Sequence, residues 1–445
     1  MGNSRKTAYK ALYNVLYNDA YSNIEINRAI KASQLDRRDA SLASAIFYGV
    51  LERKLTLDSI IKQYSSIPLR KIESKVLIIL EQAIFQILYL DKIPDSAAVD
   101  EAVKLAKSLR LSKSSGFVNG ILRSFLRADK KFKAPNREQN RDDYLSFAYS
   151  CPKEIIGILK SSYGEECVEN ILKSFFGRPP ITAAVNTIKT NQDELIADLK
   201  QQGVTAEPTK YAKNALSLYG TGSVEELEAF KQGKFYVQDE ASQLAAELLS
   251  PKGGERVIDV CAAPGGKSFK SALLMNNSGE VLSFDIHQHK INLIEKTAKK
   301  LGLTIIKASQ RNALDSARQP EPADKVICDV PCSGLGVIRR KPDIKYKNIQ
   351  GLAELPSLQY KILIKSSQLV KKGGVLLYST CTLNKAENND IAQRFISENK
   401  GFKPLPLSLP ENLKREITEA DNCFTMLPNV HGTDGFFVSA FIRCE

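Results

Sequence analysis

Hydrophobic and polar positions change their rhythm twice along the chain. Over residues 1–132 they recur at helical spacing, with few Gly or Pro to interrupt them. In SSGFVNGILRSFLRADKK, Phe117, Val118, Ile121, Leu122, Phe125 and Leu126 share one helical face, and Arg123, Arg127 and Lys130 share the other. The longest apolar run, VLIILEQAIFQILYL, is broken by Glu81, Gln82 and Gln86 and is too short to span a bilayer. It predicts a core helix. The polar stretch FKAPNREQNRDDY reads as a linker.

Over residues 145–235 the texture shifts. ITAAVNTIKT and ALSLYG read as strands around NQDELIADLKQQG, a helix with a glycine stop, which makes a small α/β unit suited to be a nucleic-acid platform. From 236 onward, RVIDVC, EVLSFDI, TIIKAS, DKVICDV and GGVLLYS alternate with helical segments, the pattern of a parallel, doubly wound sheet. At 445 residues the chain is too long for one core. The expected organisation is multi-domain: an all-α domain at 1–132, a small α/β domain at 145–235 and a Rossmann-like α/β domain at 236–445. There is no internal repeat and no low-complexity segment.

Charge sharpens this picture. The net charge is +13, and residues 1–140 carry 24 Lys+Arg against 14 Asp+Glu, so +10 of the excess lies in the first third. A second basic cluster, RRKPDIKYK, spans 339–347. Such blocks suit phosphate backbones, although a solvated surface would read the same way. The N-terminus MGNSRKTAYKALYNV has no apolar core of a secretory signal, and no membrane segment is expected. Eight scattered cysteines argue for reduced thiols in a cytoplasm. With three histidines and no second ligand pair beside Cys328 and Cys332, no metal is expected.

The candidate chemistry lies in the third domain. VIDVCAAPGGKS runs from strand through a small-residue loop into a helix, which aims backbone N–H groups at a ligand and lets Gly265 and Gly266 approach it closely. It is neither GxGxxG nor a P-loop. About 20 residues on, LSFDIH ends a second strand with Asp285, placed for ribose hydroxyls. Loop and acid together describe a nucleoside-bearing cofactor. Further on, VICDVPCSGLG and LLYSTCTLNKAENND set Cys332 and Cys381 just past two strand ends. A free cysteine is most often a buried hydrophobe. Two at corresponding strand ends, in a sheet whose ligands gather at the carboxyl edge, point instead to one cleft shared with the cofactor.

AAPGGK, DVPCSG and STCT resemble the signature loops of RNA cytosine-C5 methyltransferases that use S-adenosylmethionine. LASAIFYGVLERKLTLD and SGFVNGILRSFLR resemble a NusB-like RNA-binding domain, and FYVQDEASQLAAELL resembles the lead-in to the catalytic domain, so the likeness covers nearly the whole chain. It points to the RsmB/Sun family of bacterial small-subunit ribosomal RNA methyltransferases.

The resemblance implies S-adenosylmethionine as cofactor and 16S rRNA, or a small-subunit precursor, as partner, with cytosine 967 as the target and a monomeric protein. It implies that Cys381 adds to C6 of the base, that Cys332 assists release, and that Asp329 borders both cofactor and base. It places Cys261, Ala262, Ala263, Pro264, Gly265, Gly266 and Lys267 on the methionine and ribose parts, with Asp285 on the ribose. The family carries an acid where this chain reads SQRNALD. Asn312 takes that adenine-facing place, with Asp315 three residues on. Arg339, Arg340 and Lys341 would meet RNA phosphates. The same chemistry on tRNA or large-subunit rRNA, or a non-catalytic RNA-binding factor, stay open as alternatives.

Overall fold

The computed structural model describes residues 3–315, 319–347 and 350–445. Its contacts divide the chain into two compact units: residues 1–177 with 338–349, and residues 178–337 with 350–445.

The first unit is helical. Ser74–Tyr89 is the helix predicted from the apolar run, and Val76 to Ile87 are all buried. Two of its polar interruptions find partners: Lys54 Nζ reaches Glu81 Oε1 at 2.8 Å, and Arg5 Nε donates to Gln86 Oε1 at 2.7 Å, while Glu81 Oε2 is buried without a hydrogen bond. Ser115–Arg127 buries Val118, Ile121, Leu122 and Phe125 and leaves Arg123 and Arg127 exposed. The linker is shorter than its polarity suggests. Asn140 accepts from Asp143 N and starts a helix, Arg141–Tyr149, inside the polar stretch.

The basic stretch after residue 338 belongs to this helical unit. Its turn Pro342–Tyr346 is stapled down: Asp343 accepts from Ser22 Oγ, Lys345 Nζ donates to Glu52 O at 2.8 Å, and Tyr346 OH donates to Leu51 O at 2.8 Å. Lys345 is buried, so this half of the cluster is structural rather than a solvated charge run. Lys341 remains exposed.

The second unit holds two sheets. The smaller comprises β1 (Ile181–Val185), β2 (Thr205–Pro208), β3 (Ala215–Tyr219) and β4 (Phe235–Val237), antiparallel in the order β2-β3-β1-β4. Its helix Gln192–Gln201 starts from a reciprocal Asn191–Glu194 capping box. β2 and β4 escape the periodicity reading because the first is mostly exposed and the second has only three residues. Asn186 Nδ2 fastens this sheet to its larger neighbour, donating to Gly233 O and Leu301 O at 2.8 Å each.

The larger sheet comprises β5 (Arg256–Asp259), β6 (Glu280–Asp285), β7 (Ile306–Gln310), β8 (Ala323–Asp329), β9 (Val370–Thr380), β10 (Phe402–Pro404), β11 (Cys423–Met426) and β12 (Phe436–Arg443). The order is β10-β12-β9-β8-β5-β6-β7, with β11 on β12. β5 to β9 are parallel, and in the central strands β5, β8 and β9 both faces are buried. Val257, Ile327 and Leu377 enter one core, while Ile258, Val326 and Leu376 enter the other. The expected all-parallel sheet ends there: β12 runs antiparallel to β9, β10 and β11. Nine residues, including the short helix Pro428–His431, join β11 to β12, fewer than a parallel crossover needs.

Candidate active site

β5, β8 and β9 are neighbours, so their carboxyl ends open on one edge. Register brings Asp329 opposite Ser379, and everything that follows each residue leaves the sheet at the same level.

Beyond β5 the chain passes Cys261–Pro264 and enters the helix Gly266–Leu274. Gly265 has φ +106°, open to glycine without strain, and a Cβ on Gly266 would lie 2.8 Å from Gln238 Nε2. Asp259, at the foot of the loop, is buried and accepts from Ser268 Oγ at 2.7 Å; burial pushes its carboxyl up to about 7. Asp285 is buried at the end of β6, where its Oδ1 accepts from His287 N at 3.0 Å. A cleft beside Phe284 is lined by Val260, Arg311, Ala313 and Asp315. Asn312 is exposed on that turn and folds its carboxamide oxygen back to Leu314 N at 3.0 Å.

Lys267 reaches from the helix to β8. Its Nζ lies 2.7 Å from Asp329 Oδ2 and 3.1 Å from Ser242 Oγ, and Ser379 Oγ donates to Asp329 Oδ1 at 2.7 Å. A lysine, a carboxylate and a hydroxyl thus join the glycine loop to the ends of β8 and β9.

The two thiols meet. Cys332 Sγ and Cys381 Sγ are 3.3 Å apart, although 49 residues separate them. Their loops are cross-braced by Ser333 Oγ and Thr382 Oγ1 at 2.5 Å, and by Gly336 N donating to Cys381 O at 3.0 Å. The Cys332 thiol is held well above its ordinary range, first by its hydrogen bond with Cys381 and then by burial. Cys328 faces the core, where burial pushes its thiol up to about 12; burial also raises Cys261. Cys328 is a structural sulfur by environment, whereas Cys261, Cys332 and Cys381 are partly open.

The residues predicted from the sequence therefore fall into two groups: the 261–267 loop with Asp285, and the trio Asp329, Cys332 and Cys381, with Lys267 common to both. Sequence reasoning misses Ser379, Gln359, Glu387 and Asn388, which pack behind the trio. Ser379 was legible as the register partner of Asp329. Gln359 stands on a helix whose approach no spacing rule foretells. The loop suits a nucleoside-bearing cofactor on structural grounds. Gln238 Oε1 is buried without a hydrogen-bond partner beside the Gly266 backbone, while Cβ atoms on Gly265 and Gly266 would run into Phe269 and Gln238, so both positions need glycine.

Comparison with known proteins agrees in all three parts of the chain. The model of the 16S rRNA methyltransferase RsmB/F family matches residues 246–442, that of the NusB family residues 2–127, and that of an RsmF/B-like ferredoxin-like domain residues 151–225. The probable ribosomal RNA small subunit methyltransferase B of Bacillus subtilis is 38% identical over 98% of this chain and 97% of its own. The similarly named protein of Synechocystis sp. is 33% identical over 99% of both. Among solved structures, that of PH0851 superposes with a TM-score of 0.84 at 26% identity, covering 99% of each chain. A methyltransferase homolog protein from Pyrococcus horikoshii gives 0.59 at 27% identity, covering 67% of this chain and 97% of that one.

Proposed function

The chain belongs to the 16S rRNA methyltransferase RsmB/F family, and from that premise we propose that it methylates C5 of a cytosine in 16S rRNA, position 967, through a covalent bond between Cys381 and C6. The observation that carries this reading is the 3.3 Å approach of the two thiols beside Asp329. One thiol is enough for a simple nucleophile. Two at this distance suit a reaction that must both make and break a carbon–sulfur bond.

The cofactor is S-adenosylmethionine, which when bound supplies an electrophilic sulfonium methyl group. Residues Cys261 to Lys267 would hold its methionine part, Asp285 its ribose hydroxyls, and the turn from Asn312 to Asp315 its adenine edge; on that turn Asp315 lines the cleft. The rest of the work belongs to the chain's own groups. C5 of cytosine is a poor nucleophile inside an aromatic ring. Addition of the Cys381 thiolate to C6 breaks the aromaticity and turns C5 into an enamine carbon. Asp329, steadied by Lys267 and Ser379, takes the N3/N4 edge of the base as charge develops there.

Until Cys381 is bound to carbon, its 3.3 Å contact with Cys332 holds the Cys332 thiol in its protonated form. Once Cys381 is bound to carbon, that hydrogen bond and the neighbouring charge are gone, so the Cys332 thiol becomes easier to ionise. Having passed its own proton to solvent, Cys332 can then take the C5 proton as a thiolate. The electron pair of the C5–H bond re-forms the C5–C6 double bond and expels Cys381 as thiolate. Addition and release thus fall to different sulfurs.

Among the described residues no helix is long and apolar enough to cross a membrane, and we place the reaction in the cytoplasm with the rRNA. Labelled S-adenosylmethionine incubated with the protein and 16S rRNA tests the reading: label on C5 of one cytosine is expected. Label on another atom, or none beside an active control, contradicts it.

A further inference from the structure

Glu387 and Asn388 are consecutive, fully buried and lie behind the thiols. The Glu387 carboxylate accepts from Ser333 N at 2.9 Å, Gln359 Nε2 at 2.8 Å and Asn384 Nδ2 at 3.0 Å. The same Gln359 nitrogen donates to Pro331 O at 2.9 Å. Both neighbours of Cys332, Pro331 and Ser333, are therefore tied to Glu387, one directly and one through Gln359. Asn388 treats Cys381 alike. Its Oδ1 accepts from Thr380 Oγ1 at 2.5 Å, and its Nδ2 donates to Thr382 O at 3.0 Å. Each of two adjacent residues brackets one thiol.

We propose that Glu387 and Asn388 are positioning residues for the two-thiol reaction: Glu387 sets Cys332 for release, and Asn388 sets Cys381 for addition. This rests on the reading under Proposed function. Burying a carboxylate among neutral donors is costly, but an amide could not replace it: Oε2 accepts from Ser333 N and Gln359 Nε2 and Oε1 accepts from Asn384 Nδ2, so one of the two would become a donor facing donors. Its charge also acts on the neighbouring thiol. The contact with Cys381 raises the Cys332 thiol most, burial and the Cys381 charge follow, and Glu387 adds to them. The acid thus places Cys332 through the backbone on both sides of it, and it is this placement that release requires.

The full chain carrying Glu387→Gln or Asn388→Ala, with S-adenosylmethionine and a 16S rRNA transcript, tests the division of labour. Each variant should lose roughly 10- to 100-fold in kcat, as small misplacements of reacting groups do, with KM for RNA little changed. They should part on a denaturing gel. Glu387→Gln accumulates a protein–RNA adduct, because release is impaired, whereas Asn388→Ala shows less adduct than the wild type, because addition is. Two milder changes keep the test decisive if either variant fails to fold. Asn384→Ala removes one donor from Glu387, Thr380→Val removes one from Asn388, and each should follow its partner in weaker form. Equal adduct levels on the two sides, or wild-type turnover in all four, overturn the proposal. Cys332→Ala runs alongside. An adduct there with none in Glu387→Gln or Asn384→Ala refutes the positioning role alone, and no adduct in Cys332→Ala refutes the two-thiol reaction itself.

Discussion

Lys267 and Asp329 form a 2.7 Å ion pair between the first turn after the glycine loop and the end of β8. The lysine side chain is 8% exposed and the carboxylate 31%, so the pair stands at the boundary between the buried loop and the open edge. One interaction thereby fixes the cofactor loop against the group that faces the base. Lys267→Met should lower kcat/KM by about 10- to 100-fold, because a preorganised charge at a water-poor site is lost. Steady-state kinetics with 16S rRNA checks this, and an unchanged kcat/KM would contradict it.

Gly336 sits where two backbones nearly touch. A Cβ there would lie 2.0 Å from Gly435 O and 2.8 Å from Cys381 O, and both contacts are with main chain that has no rotamer to yield. Gly336→Ala should cost about 1–3 kcal/mol of stability. It should also abolish methyl transfer, since the strain is relieved by moving the turn that carries Cys381. Thermal unfolding and an activity assay on the same sample read both effects.

In the helical unit, Lys54 holds Glu81 and Asp58, each at 2.8 Å, and Glu81 is fully buried. Burial raises the Glu81 carboxyl to about 8 even with the lysine beside it. Lys54→Met takes a hydrogen-bond partner from that buried carboxyl and should cost about 1–3 kcal/mol, because a buried polar group left unsatisfied carries its desolvation penalty. The double variant Lys54→Met/Glu81→Leu should recover part of the loss. Denaturant midpoints of the three proteins test the order.

Lys345 supplies a pH signature. Burial lowers its ammonium from 10.5 to about 8, so the unfolded chain binds its proton more tightly than the folded one. A folded-state pKa below the unfolded value in a base means that stability is withheld at neutral pH and recovered as pH rises from about 8 toward 10. The recovery is about 3 kcal/mol at most. Lys345→Met should remove that rise from the stability profile while other titrations persist. A parallel slope in both proteins between pH 8 and 10 would refute it.

Much of this was legible before any coordinates. The unbroken core helix, the five parallel strands and the loops at their ends follow from period and turn residues, because each depends on local chain chemistry. β12 is a different case. FFVSAFIR is apolar enough for a strand, but its antiparallel setting beside β9 depends on the path of the whole segment between them, which no local pattern fixes. The convergence of Cys332 and Cys381 follows from strand adjacency, whereas Glu387 and Gln359 do not. Their roles arise from a helix and a loop meeting behind the site, which no spacing encodes. The basic run after residue 338 misleads for a related reason: composition reports charge, and only packing reveals that Lys345 is buried.

The most direct test of the central claim compares Cys332→Ala with Cys381→Ala on a denaturing gel, after incubation with S-adenosylmethionine and 16S rRNA. The account predicts a persistent protein–RNA adduct for Cys332→Ala, where addition proceeds and release stalls, and none for Cys381→Ala. An adduct in both, in neither, or with the two variants reversed would contradict it.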